Sequence, residues 1–225
     1  MSSAPIVELR DVELHYFAIC GRGEPIRLLL EDAGVPYVEN NDGDAFFAKK
    51  WDLDEYRFNQ LPRLKVNGLN LAQLDAILRY IAKARGYGGN GNLEDEAVAD
   101  MLAVACEDLH VTYLSKVYSP DAANLLPPFA KEHVPKVLKQ FEHLLQQSKS
   151  PKGYFVYDHP SFAEFHLYYL LFALSHLNPA LLANFPALSA WRETMSARQG
   201  IKAYETSGRR REMLNAAPTA QMRVV

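Results

Sequence analysis

At 225 residues the chain is long enough for one large domain or two small ones, and with 48% hydrophobic residues it can build a sizeable core. Its net charge of −3, from 24 basic and 27 acidic side chains, gives no nucleic-acid footprint. Two cysteines, Cys20 and Cys106, are too few for a disulfide framework and stand in no metal-ligand spacing, which favours a reducing, cytoplasmic setting; no run is long and apolar enough for a membrane span.

The N-terminal MSSAPIVELRD lacks the apolar core of a leader, and its first ten residues read as a mobile extension. Glu13 to Ile19 reads as an aromatic-rich strand. Cys20-Gly21-Arg22-Gly23 turns the chain into a helix, with Pro25 in its first turn, an apolar face from Ile26, Leu28, Leu29 and Leu30, and a stop at Gly34 and Pro36. Tyr37-Val38-Glu39 is a second strand. Residues 40–57 are polar with aromatic interruptions, a loop with one irregular helix. Arg63 to Val66 is a strand, Asn67-Gly68 a tight hairpin turn, and Leu69 to Leu71 the returning strand. Pro62 at the mouth of this hairpin can take the cis form. From Gln73 the period becomes helical, with Ile77, Leu78, Ile81 and Ala82 on one face.

GYGGNGN, residues 86–92, is a junction. It matches G-x-G-x-x-G at Gly86, Gly88 and Gly91, but a helix precedes it where a dinucleotide site needs a strand, and turn chemistry explains its glycines. The rest reads as helix. Asn92 caps a helix running to about Tyr118 with Leu102, Ala105, Leu109 and Thr112-Tyr113 inward, and Ser119-Pro120 stops it. Val134, Val137, Leu138, Phe141, Leu144 and Leu145 form a 3.6-residue stripe. Ser161-x-x-Glu164 is a capping box before FHLYYLLFAL. Pro186 opens a helix containing Trp191, and Gly200 to Tyr204 a last short one. Arg209-Arg210-Arg211 reads as a solvated face.

Two groups of segments together carry a family resemblance. Gln60-Leu61-Pro62-Arg63-Leu64, Asn67-Gly68, Leu71-Ala72-Gln73 and Ala76 to Ala82 resemble the glutathione-binding half of cytosolic glutathione transferases, nearest the tyrosine-type sigma, mu, pi and alpha classes. Leu14-His15-Tyr16-Phe17, followed by Gly21-Arg22-Gly23-Glu24 and Ile26-Arg27, resembles the same family in order and spacing. The resemblance covers nearly the whole chain. It implies a thioredoxin-like α/β domain over 11–85, a linker over 86–92 and an all-helical acceptor-site domain over 93–225. It also implies a homodimer that uses glutathione as co-substrate, needs no metal, and conjugates electrophilic small molecules.

The site residues follow from that resemblance. Tyr16 would donate its hydroxyl to the glutathione sulfur, supported by Arg22. Trp51, Gln60, Leu61, Pro62, Gln73 and Leu74 would bind the peptide, with Asp108 reaching across the dimer. Ile19, Cys20, His110, Tyr113, Leu114, His166 and Leu170 would form the acceptor site, made more polar by its two histidines. Three positions depart from the family pattern. Leu74 stands where a serine is usual, Glu55 lies where a lysine is expected, with Arg57 or Lys50 as substitutes, and Asn59 replaces a glycine. These departures predict weaker glutathione binding. They leave open a transferase-fold binding or structural protein, as well as a glutathione-dependent isomerase or peroxidase, since fold does not fix function. A metal enzyme and a CxxC oxidoreductase are disfavoured: the seven histidines are scattered, H-E-x-x-H does not occur, and Cys20 has no partner.

Overall fold

A computed structural model describes residues 6–88 and 91–217. The first five residues of the expected extension, two junction residues (89 and 90) and the end of the helical region after 217 lie outside the described residues. The N-terminal half is a mixed four-stranded sheet in the order β2-β1-β3-β4 with helices packed on it. Strand β1 (Glu13–His15) runs parallel to β2 (Val38–Asn40), with α1 (Glu24–Asp32) as the crossover that a parallel pair requires. Strands β3 (Arg63–Val66) and β4 (Leu69–Ala72) form the antiparallel hairpin, and β3 pairs antiparallel with β1. Asn67 and Gly68 both have positive φ, 50° and 75°, as a two-residue turn matching the twist of its strands demands. A short α2 (Gly43–Lys49), capped by the Asp42 carboxylate on the Ala45 N–H, precedes β3. Helix α3 (Leu74–Arg85) follows β4 and ends at Gly86 in the left-handed region.

The C-terminal half is all helix: α4 (Leu93–Val117), α5 (Ala122–Pro128), α6 (Val134–Gln146), α7 (Phe162–Leu177), α8 (Pro186–Ser196) and α9 (Gln199–Thr206). Helix α7 is apolar on every side and nearly all of it is buried, so it forms the axis around which α4, α1 and α3 pack. The Glu164 limb of the expected capping box is closed. Its carboxylate accepts the N–H groups of Ser161 (2.7 Å) and Phe155 (3.1 Å) and the indole N–H of Trp191 (2.9 Å). A fully buried carboxylate is tolerable because three donors surround it, although burial still raises its pKa.

Four features differ from the sequence expectation. The first strand ends at His15 rather than Ile19, because Tyr16 passes its N–H to Asn40 and the chain then turns away from the sheet. The second strand is shifted by one residue, to Val38–Asn40. Helix α5 and a π-turn at Phe129–His133 fill a stretch with no periodic signal, where Pro127 and Pro128 interrupt the helical pattern. The arginine run is not a solvated face. Arg209 pairs with Glu31, Arg210 with Glu24 and Glu205, and Arg211 with Glu39, which pins the C-terminal tail onto α1 and β2.

Removing the Glu164 carboxylate strands three buried donors. Glu164→Ala is therefore expected to lower unfolding free energy by about 3 kcal/mol or more. Urea unfolding measures this, and a loss below about 1 kcal/mol would mean that water or repacking satisfies those donors.

Candidate functional site

Tyr16 leaves the end of β1 with its ring buried. Its hydroxyl oxygen accepts the backbone N–H of Arg22 at 2.9 Å. The group of Arg22 that meets the hydroxyl is its main chain; its guanidinium reaches away to Glu107 on α4 at 2.6 Å. Burial pushes the Tyr16 pKa up to about 12, against the opposing pull of the Arg22 N–H. The hydroxyl therefore keeps its proton across the physiological range and can only donate it as a hydrogen bond.

The turn that presents Arg22 is shaped by two glycines. Gly21 has φ +41°, and a Cβ there would lie 2.5 Å from the Tyr16 hydroxyl. A Cβ on Gly23 would lie 2.6 Å from Cδ1 of the same ring. Both positions must be bare for the turn to close on the tyrosine.

Arg27, buried in α1, holds the irregular segment before the turn. It donates to the carbonyls of Phe17, Ile19 and Cys20 and pairs with Glu24 and Glu39. Its role was not read from the sequence; the available signal was a charge set inside the apolar run Ile26 to Leu30.

Below Tyr16, His15 Nε2 lies 2.9 Å from the Asp42 carbonyl, so that nitrogen carries the proton and Nδ1 accepts the Tyr56 hydroxyl at 3.0 Å. Burial holds His15 below its ordinary pKa, in keeping with a neutral ring. Arg63, also buried, pairs with Glu13 and Glu55 and lies over the Tyr56 ring. Glu55 is therefore committed to the sheet.

The Leu61–Pro62 bond is cis. The β1–β3 ladder stops at the His15–Arg63 pair, so Leu61 lies beyond it at the mouth of the sheet. Gln60 and Gln73 are exposed on the same rim. Asn59, at φ 55°, occupies the conformation that explains the usual glycine; asparagine is among the few other residues that tolerate it. Gln73 precedes α3 at φ 74° and gives it no side-chain cap, leaving the first N–H groups of the helix unclaimed by a cap. The Leu74 side chain is buried in the core, so it offers only its backbone to this rim. Trp51 is 73% exposed, with the Lys50 ammonium 5.4 Å from its ring. Arg57 is spent on the Asn70 carbonyl.

The residues expected to line the acceptor pocket are mostly internal. Cys20, His110, Tyr113, His166 and Leu170 are buried and Ile19 is nearly so, leaving Leu114 partly open. Cys106, His110, Tyr113 and Val117 do share one face of α4, but that face packs against α7. His110 and His166 bond to each other at 2.9 Å and present no polar atoms to a cleft, so the polar acceptor pocket expected from them is not formed this way. A residue passed over on the sequence, Tyr118, stands close enough to Tyr16 to influence its ionisation; it is half exposed, and its hydroxyl accepts the Ala216 N–H. A cavity of about 590 Å³ lies elsewhere, between Tyr37, Glu39, Tyr204 and the arginine run. Asp108 is exposed within an outward stripe on α4, between Val104 and Val111, that also carries Met101.

Comparison with known proteins places this geometry. Residues 12–83 match the glutathione S-transferase N-terminal domain family, and residues 107–208 match the glutathione S-transferase C-terminal domain family. The chain is 33% identical over 193 residues to a glutathione S-transferase of Dirofilaria immitis, spanning 85% of this chain and 90% of that one. It is also 33% identical over 196 residues to glutathione S-transferase P of Homo sapiens, with the same coverage. It superposes on the structure of the Onchocerca volvulus Pi-class glutathione S-transferase with a TM-score of 0.83 at 29% identity, covering 92% of this chain and 98% of that one. With a tyrosine held by a backbone N–H at the end of its first strand, and a thioredoxin-like domain followed by a helical one, the chain belongs to the glutathione S-transferases, in their Pi, Mu and Alpha group.

Proposed function

We propose that the Tyr16 hydroxyl donates to the glutathione sulfur and stabilises it as the thiolate that attacks an electrophilic small molecule. The observation that carries this is the buried hydroxyl fixed by the Arg22 N–H at 2.9 Å and kept protonated by its surroundings. A free thiol titrates near pKa 8.5 and is mostly unreactive at neutral pH. A hydrogen bond to a charged group is worth about 1.5–3 kcal/mol, enough to lower that value by about one to two units. The donated proton stays on Tyr16, and the thiol proton leaves to solvent as the anion forms.

Glutathione would lie along the rim from Trp51 to α3. Its cysteinyl backbone would meet Leu61 beyond the end of the ladder, with Gln60 and Gln73 as amide partners. The first N–H groups of α3 would take a carboxylate, as helix N-termini do. Leu74 gives no hydroxyl, consistent with binding weaker than usual for the family. Lys50, beside Trp51, is the cation nearest the glycyl end. Leu114 and Tyr118 edge the acceptor side.

A homodimer is supported by the exposed apolar stripe Met101, Val104 and Val111 on the α4 face that bears Asp108, a surface that a single chain leaves in water. Among the described residues no helix is long and apolar enough to cross a membrane. A cytoplasmic place for the enzyme is part of this proposal.

Tyr16→Phe is expected to cut kcat for an aryl halide about 10- to 100-fold while calorimetry shows glutathione still bound. If wild-type protein fails to bind glutathione at millimolar concentration, the chain is instead a binding protein on a transferase fold. Because Tyr16 keeps its proton until about pH 12, kcat/KM should rise through the thiol pKa and show no falling limb below pH 10. A descending limb centred near pH 9 would place a tyrosinate in that range and sink the donor role. Gly23→Ala should depress kcat as strongly as Tyr16→Phe, since the added methyl displaces the ring; an unchanged kcat would mean that the turn is not what aims the hydroxyl.

A further inference from the structure

The seven histidines look scattered in sequence, but the fold gathers two of them with two carboxylates between α3, α4 and α7. His166 Nδ1 lies 3.3 Å from the Asp75 carboxylate, so that nitrogen carries the proton and Nε2 is an acceptor. His110 Nδ1, 2.9 Å from it, must then be the donor. This leaves His110 Nε2 as a bare lone pair, and it is fully buried with no hydrogen-bond partner among the described residues. Glu107, one turn earlier on α4, gives Oε2 to Arg22 and has Oε1 to spare. One ligand atom from each of Glu107, His110 and His166 falls within 4.8 Å of the others.

We propose that Glu107, His110 and His166 form a binding site for a divalent late transition ion, Zn²⁺ in the first instance. Two imidazoles and one carboxylate are the donor set that borderline ions prefer. The ion would sit between the two rings in place of their shared proton, which passes to the idle Nε2 of His110. Two imidazole nitrogens on a tetrahedral ion stand about 3.3 Å apart, a few tenths of an ångström beyond their present 2.9 Å, and the rings, which now face each other along the hydrogen bond, must also swing so that both lone pairs meet at the ion. The Asp75 carboxylate, accepting from the far nitrogen of His166, is the outer partner that metal-binding histidines ordinarily have; it fixes the ring with Nε2 aimed inward. The half-exposed Arg22–Glu107 pair is the way in from solvent.

The test is titration of metal-free full-length protein with Co²⁺ and then Zn²⁺. The expected result is one Co²⁺ per chain with visible ligand-field bands, bleached by Zn²⁺. Both Glu107→Gln and His166→Gln should weaken uptake at least about 10-fold, and Asp75→Asn should weaken it about 10-fold while keeping the bands. No saturable one-to-one uptake at millimolar Co²⁺ overturns the site. So does uptake unchanged in Glu107→Gln and His166→Gln, which would belong to other histidines. Should His166→Gln fail to fold, Glu107→Gln decides alone, because that residue is on the open side of the cluster.

Discussion

The contact on which the site depends is the closure of the Gly21-Arg22-Gly23 turn on the Tyr16 ring. A single residue, Arg22, uses its main chain to fix the hydroxyl and its side chain to reach Glu107 in the helical half. The two glycines make room, and Arg27 holds the carbonyls just before them. A tyrosine that merely ended a strand would be free to rotate. Here its oxygen is held from one side by a main-chain N–H. Preorganisation of this kind concentrates a weak interaction where charge develops.

Much of this was legible in the sequence because the relevant signals are local. The Asn67-Gly68 turn, the change of period at Gln73, the Asn92 cap and the Ser161-x-x-Glu164 box all formed where composition placed them. Tyr16 stood out through its motif, whereas Asn59 showed in the sequence only as a replaced glycine, and its positive φ is seen only in the structure. What stayed hidden was the identity of each partner. A helical period says that His110 and Tyr113 share a face but not which face the core takes. Charge spacing shows three arginines in a row, but not that Glu24, Glu31 and Glu39, nearly 180 residues away, will neutralise them. The Arg22 backbone bond has no side-chain signature at all.

The two halves of the molecule are joined by polar contacts as well as packing. Arg22 to Glu107, Arg198 to Asp32, His166 to Asp75 and the arginine run each cross from one half to the other. Gly200 lets α9 lie directly on the backbone of α1 at Glu31 and Asp32. Helix α7 also packs on α1 and α3, so apolar burial accompanies these polar contacts at the junction.

The tail bears on how the protein is made. Cys20 and Gly21, the residues leading into the catalytic turn, give their N–H groups to Met213 and Leu214, and the Cys20 thiol donates to the Arg211 carbonyl. Domains generally fold as they leave the ribosome, N-terminal portion first. This α/β domain can collapse early, yet the segment that presents Tyr16 finds its last hydrogen-bond acceptors on carbonyls of residues 211–214, far later in the chain. The nascent chain therefore has its scaffold long before the segment around Tyr16 is fully bonded.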